Sequence, residues 1–384
     1  MFAGRLSALR NDTMTIGVDA RSLTVDHLRG MGNYLRGMIG ALAADQNLAW
    51  QFFSDRPDLP FHSPLPAQHL APLAALDCPG FRFHSWEQAV LPFEARRRGV
   101  DILHCTGNTA PLWQPVPMVI TIHDTMIWDR NEAIAAGFYR DTLLPWSYAR
   151  AAAIITISEQ SKHDILRLWP ALAPKLHVIP HGVEPGFLNA QPAPLDDALQ
   201  AAGIRTPYLL YCGGTMPRKR LAWATEIFAA LDDPALQLVV LGVPESGHAA
   251  AREALAPELR ARVCFAPFIA QSTMPRLYKN AAALLYPTLY EGFGFPALEA
   301  QAVGTPVLMS ALGSLAELVG PGAIVLEPED RAGWIAAARN AIDARRDGAA
   351  PDNTARRWAQ RFTWEASAAA HLAVYHDAAG RTAP

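Results

Sequence analysis

Short apolar runs that stop at glycine, serine, histidine or proline recur along this chain, and helix-length amphipathic stretches separate them. No other feature constrains the fold as strongly. Strands covered on both faces read as continuous apolar runs, and parallel neighbours need helical crossovers between them. The spacing predicts strands at 15–19, 50–54, 101–104, 118–122, 153–157 and 178–179, with helices at 33–44 and 138–151. A proline-rich stretch without a strand signal, 185–207, then reads as an interdomain linker. A second set of strands follows at 208–212, 237–241, 262–265, 283–286, 306–309 and 323–326. Helices at 218–231, 248–260, 273–281, 296–303, 314–319 and 331–345 separate them. The pattern implies an α/β chain of two facing, doubly wound, Rossmann-like domains, whose chemistry belongs in the loops beyond the carboxyl ends of strands.

Composition narrows the partners. At 384 residues the chain has room for two or three domains, and 51% hydrophobic against 18% charged residues is enough for a core in each. Thirty-three cations against 36 acids leave a net charge of −3, so no basic excess points to nucleic acid. Cysteines 78, 105, 212 and 264 lie far apart with no Cys-x-x-Cys, which reads as reduced, buried thiols without a zinc site. No run of 18 apolar residues occurs, and the first 14 residues carry arginines 5 and 10 but no apolar stretch. A frayed extension on a cytoplasmic protein is the expectation. Asp-x-Asp, His-Glu-x-x-His, Gly-x-Ser-x-Gly and the Walker motif are all missing from the sequence.

Four segments could carry chemistry. In EGFGFPALEA a glycine-rich turn runs into Pro296, which suits the first turn of a helix, so backbone amides could cradle an anion between Glu291 and Glu299. Glu299 in the first helical turn is equally an acid favoured by the helix dipole, and Glu291 a solvated loop charge. In GGTMPRKR, directly after a strand, Arg218 and Lys219 oppose the helix dipole, which suits a polyanion; a solvated basic turn including Arg220 is the plainer reading. Gly30-Met31-Gly32 lacks the third glycine of a dinucleotide fingerprint and reads as a mobile loop that could approach a ligand. His123, with Asp124 beside it, follows a strand and could bond a sugar hydroxyl or move a proton near neutral pH, or be structural. Ser158 reads as a helix N-cap, and the run Arg96–Arg98 as a solvated face or an anionic-membrane contact.

These residues bear a resemblance. The Glu-x7-Glu block EGFGFPALEA, GGTMPRKR, VIPHGVEP, DARSLTVDHLRGMGNYLRGMI, TIHD and the terminal FTWEASAAAHLAVY together resemble family 4 (group 1) glycosyltransferases of the GT-B fold. The resemblance implies an acceptor-side domain over 1–190, a nucleotide-sugar domain over 191–362 and a helix over 363–384 that crosses back to the first. It implies that Glu299 binds the donor ribose, that Glu291 and the backbone of Gly292, Phe293 and Gly294 meet the transferred sugar, and that Arg218 and Lys219 hold the diphosphate. Gly214 and Gly32 would lie at the donor, and His123 near the reacting centre. His181 stands where the family usually has asparagine in a Pro-Asn-Gly turn, and Arg220 stands where asparagine is common. The segment WEQAVLPFEARRRGVDILHCTGNTAPL is similar to GDP-mannose users of O-antigen and exopolysaccharide synthesis, with UDP-glucose and dTDP-rhamnose as other donors. A retaining, metal-free transfer to a saccharide or lipid-linked saccharide at the inner face of the membrane is what the resemblance implies. The competing readings are an inactive nucleotide-sugar-binding scaffold, a nucleotide-sugar epimerase and a nicotinamide-dependent dehydrogenase.

Overall fold

The computed structural model describes residues 13–56, 58–72, 82–128 and 137–380. The expected N-terminal extension and Cys78 lie outside the described residues. The chain divides into two units: Ser158–Ser161 and Pro180–Trp364 form the second, and the remainder, including Lys162–Ile179 and the residues from Glu365 on, forms the first.

The first unit contains a seven-stranded sheet. Its strands are β1 (Met14–Asp19), β2 (Leu48–Ser54), β3 (Leu70–Pro72), β4 (Ile102–Cys105), β5 (Met118–Thr121), β6 (Ala153–Thr156) and β7 (Leu176–Val178). They are all parallel, in the order β3-β2-β1-β4-β5-β6-β7. The second unit has a six-stranded parallel sheet. It consists of β8 (Tyr208–Cys212), β9 (Gln237–Leu241), β10 (Val263–Phe265), β11 (Ala283–Tyr286), β12 (Val307–Met309) and β13 (Ala323–Val325), ordered β10-β9-β8-β11-β12-β13. Every residue of β4, β5, β6, β8 and β11 is buried, as the continuous apolar runs require of strands covered on both faces.

In each sheet the strand order reverses once, between β1 and β4 and between β8 and β11. A crevice opens at such a switch point, because the crossovers on either side lead to opposite faces of the sheet.

Some expectations need correction. Residues 185–207 are no linker: the chain enters the second unit at Pro180, and short helices Pro185–Leu188 and Asp197–Ala201 pack within it. Phe187, Leu199 and Ile204 are buried there, Phe187 with its ring 5.5 Å from that of Tyr278, so apolar anchors outweigh the prolines. Strand β3 is a three-residue edge strand ending in proline, too short to signal itself. Cys105, Cys212 and Cys264 are buried free thiols. Arg97 and Arg98 both pair with Glu94, a surface ion cluster on one helix. Among the described residues no helix is long and apolar enough to cross a membrane.

Candidate functional site

At the switch point of the second sheet, β8 runs into Gly213-Gly214 and a single 3-10 turn, Pro217–Lys219, before the helix Leu221–Ala230 begins. Gly214 has φ +67°, and a Cβ there would lie 2.7 Å from the Gly242 carbonyl, so its glycine has a packing reason of its own. The Tyr211 hydroxyl bonds the carbonyls of Gly214 (3.0 Å) and Lys219 (3.1 Å), fixing the turn from below. The Lys219 ammonium donates to Glu291 Oε1, and Arg218 Nη1 stands 3.7 Å from the other carboxylate oxygen while donating to the Tyr290 carbonyl (2.8 Å). Tyr286, the last residue of β11, donates its hydroxyl to Glu291 as well (2.9 Å). Glu291 is therefore buried in a built cluster and is not a solvated loop charge. Burial pulls the Lys219 ammonium below its ordinary value, and Glu291 partly offsets that. Two cations facing one carboxylate leave the cluster net positive, as an anion site needs.

Arg220 is separate from this cluster. It adopts the left-handed region at φ +57°, donates to the Pro328 carbonyl (2.6 Å), pairs with Glu329 and lies over the Trp223 ring. Asparagine, the residue the resemblance leads one to expect here, enters that backbone region more readily than most residues; at this position the arginine's tethers hold the turn.

The loop after β11 leads into the helix Phe295–Val303, whose N-cap Gly294 has φ +111° and whose first turn includes Pro296. A Cβ on Gly294 would fall 2.5 Å from the Leu315 side chain. Loop carbonyls are tied off by hydroxyls: Ser314 bonds those of Glu291 (2.6 Å) and Phe293 (3.3 Å), and Ser158 bonds that of Gly292 (3.0 Å). Ser158 also accepts from the Ser161 amide, the N-cap bond expected of it. Beneath the loop, His181 stacks on Phe295 (4.9 Å, 3°) and meets Phe293 edge-on (4.8 Å), so the residue replacing the usual asparagine is a buried aromatic support.

Glu299 requires a correction. No acidic residue occupies the first turn of this helix; Glu299 lies one turn further in, buried. Burial pushes its carboxyl up to about 7, with a hydrogen bond from Tyr278 opposing the shift. The dipole reading therefore falls away. A buried acid whose pKa is raised by burial is a candidate functional group.

In the first unit, His123 follows β5. Its amide donates to Asn108 Oδ1 (2.7 Å), and Asn108 itself has φ +64° with its carbonyl bound by the Tyr148 hydroxyl. The His123 Nε2–H donates to the Thr106 carbonyl (2.9 Å), because a carbonyl only accepts; this makes Nδ1 the acceptor atom of the ring. Burial lowers its pKa to about 4, so His123 is neutral at pH 7 and is not the near-neutral proton carrier considered from the sequence. It can still accept from a hydroxyl.

Tyr34 meets His123 edge-on (5.1 Å, 80°) and belongs to a buried hydrogen-bond chain. The direction of that chain follows from its ends. His371 Nδ1 faces the Ser367 carbonyl (2.7 Å) and must donate, so its Nε2 accepts from Tyr34 (2.8 Å). Tyr34 in turn accepts from Thr121 (3.1 Å), Thr121 from His104 Nε2 (2.7 Å), and His104 Nδ1 from Tyr375 (2.8 Å). His371 and Tyr375 stand one helical turn apart on the C-terminal helix Trp364–Ala378.

Gly32 is not in a loop. The helix starts at Gly30, and a Cβ on Gly32 would lie 2.6 Å from the Ser22 carbonyl, so close packing within the first unit requires the glycine.

The structure thus brings Arg218, Lys219 and Glu291 together with the loop Gly292–Gly294, and sets Glu299 one turn into the following helix. His123 and Gly32 lie in the first unit. Sequence reasoning missed Tyr286, Tyr278, Asn108 and the His104–His371 chain. Tyr286 ends an apolar strand and Tyr278 lies in the helix Met274–Asn280, where a tyrosine ordinarily packs in the core, and the i, i+4 spacing of His371 and Tyr375 in the terminal helix was a local sign of a polar role.

Residues 200–360 match the family described as "Glycosyl transferases group 1", and residues 28–187 match "Glycosyltransferase Family 4". The chain is 30% identical over 350 residues to the D-inositol 3-phosphate glycosyltransferase of Xylanimonas cellulosilytica, covering 83% of this chain and 82% of that protein. It is 26% identical to the O-antigen chain mannosyltransferase RfbU of Salmonella typhimurium, over 61% of this chain and 63% of the relative. Among solved structures, sucrose-phosphate synthase of Thermosynechococcus elongatus superposes with a TM-score of 0.72 at 23% identity, over 94% of this chain and 98% of that one.

Proposed function

We propose the following reaction for this chain, which belongs to the family 4, group 1 glycosyltransferases: it moves mannose from GDP-mannose to a saccharide or lipid-linked saccharide acceptor, retaining the anomeric configuration and using no metal ion. The observation that carries the reading is the cluster of Arg218 and Lys219 around Glu291 at the switch point of the second sheet. A diphosphate leaving group gains negative charge as its bond to the sugar breaks, and two cations on a rigid strand-end turn stabilise that charge.

Glu299, poised near pH 7, accepts the donor's ribose hydroxyls. Glu291 serves the sugar. Its carboxylate is already engaged by Lys219 and Tyr286, which suits holding a hydroxyl better than attacking carbon. Retention then follows from attack on the face the leaving group vacates. The bond from the anomeric carbon to the phosphate oxygen breaks with its electron pair, the acceptor oxygen bonds to that carbon, and the acceptor proton passes to a phosphate oxygen. Neutral His123 accepts a sugar hydroxyl through Nδ1. Mannose is favoured because RfbU is named a mannosyltransferase.

A thermal-shift panel of GDP-, UDP-, dTDP- and ADP-sugars, with NAD and NADP as controls, tests the reading. A ligand at 100 times its Kd stabilises by about 2.7 kcal/mol. A shift with GDP-mannose that Glu299→Ala removes is expected, as is a loss in kcat of ~10²-fold or more in Arg218→Ala and in Lys219→Ala. A shift with a different nucleotide sugar replaces mannose, and a shift confined to NAD, or unchanged turnover in both variants, overturns the mechanism.

A further inference from the structure

A cavity of about 690 Å³ opens at the switch point of the first sheet, among residues that follow β1, β2 and β4. Thr106 lines it, and the carbonyl of that same residue holds His123, so the cavity adjoins the histidine assigned to a sugar hydroxyl. Its size lies within the range of about 300–1,000 Å³ typical of small-molecule sites.

The charges around it are unequal. Asp19, Asp55 and Asp58 line the cavity together with Arg21 and Arg56. Arg21 is already committed. Its Nε and Nη2 bond both oxygens of Asp19 (2.9, 3.1 and 2.5 Å), and Nη2 also donates to Glu87 (2.9 Å), which is fully buried behind it. Trp86 lies under the guanidinium at 4.7 Å, fixing its plane. Four carboxylates thus stand against two guanidiniums, and one of those already serves two acids. A phosphate needs several uncommitted donors and would enter a net negative crevice, where like charges repel. A sugar hydroxyl needs the opposite: acceptors such as the Asp carboxylates, a Thr106 hydroxyl held in place by the Asp19 carbonyl (2.9 Å), and apolar surface such as Met31 and Leu59 for its C–H face.

We infer that this cavity takes an uncharged, hydroxyl-rich saccharide as acceptor and excludes phosphorylated polyols, which rests on the transferase reading proposed above. The chain therefore differs in acceptor charge from its relative named for D-inositol 3-phosphate, whose name specifies a phosphorylated acceptor.

The test is saturation-transfer NMR and calorimetric titration of the full chain with methyl α-mannobioside and with mannose 6-phosphate, alongside the donor thermal-shift panel on the same sample. The neutral disaccharide is expected to bind at least tenfold tighter, and Asp55→Asn/Asp58→Asn to narrow that gap at least threefold by improving the phosphosugar. Asp58→Asn alone, at an exposed position, supplies the reading if the double variant does not fold. Tighter binding of the phosphosugar with a steep salt dependence, equal affinity for both probes, or binding of neither overturns the inference. A normal donor shift beside any of those results leaves the transferase reading standing, whereas loss of the donor shift removes that reading instead.

Discussion

Lowering the pH should unfold the first unit through its buried histidines, and the size of the effect follows from their surroundings. His123 and His371 are held neutral, each with its pKa lowered by burial to about 4 from 6.5, and His104 is lowered in the same direction. A base that binds protons more weakly when folded contributes stability that is complete above the unfolded pKa and lost as pH falls from 6.5 toward 4. Between pH 7.5 and 5 each of the two costs about 2 kcal/mol, or about 4 kcal/mol together, a large part of a typical domain's stability. Protonation also disrupts the geometry, because a proton on His371 Nε2 faces the Tyr34 hydroxyl that now donates to it.

The perturbation is His371→Gln, whose side-chain oxygen can accept from Tyr34 but cannot titrate. Near pH 5 an unfolding histidine takes up about 0.9 proton, so the variant's stability should depend on pH less steeply than wild type by about 1.2 kcal/mol per pH unit. Urea denaturation followed by circular dichroism at intervals from pH 7.5 to 5 measures both slopes. Parallel slopes would show that His371 is charged in the folded protein, and the directed hydrogen-bond chain would be wrong.

Two further outcomes follow from the second unit. Glu299 has its folded pKa raised from 4.5 to about 7, so its contribution is complete below pH 4.5 and lost as pH rises through 7; Glu299→Gln should therefore gain up to about 3 kcal/mol at pH 8, less at pH 5.5, while losing the donor-induced thermal shift. A Cβ on Gly182 would stand 2.3 Å from the Trp364 amide nitrogen, against an ordinary 3.5 Å contact at Gly186; Gly182→Ala should cost about 3 kcal/mol in urea denaturation and Gly186→Ala much less.

The repeating strand and helix pattern was enough to establish two parallel-sheet units, because burial on both faces leaves a continuous apolar signature in each central strand. Strand-end position likewise marked GGTMPRKR and EGFGFPALEA as chemistry-bearing, since loops after parallel strands meet at one edge. Strand order was not legible: which two strands flank a switch point depends on crossovers that composition does not encode. That order brings Lys219 of one loop onto Glu291 of another, 72 residues on.

Protonation belonged to the tertiary structure as well. Glu299 and His123 look like ordinary titratable residues in the chain, and only burial moves them to about 7 and about 4. The same holds for Gly32 and Gly214, where backbone packing requires glycine before any ligand does. Sequence carried the periodicity because local burial repeats along a strand. Contacts, charge states and the direction of hydrogen bonds arise where distant segments exclude water together, and only the folded chain decides them.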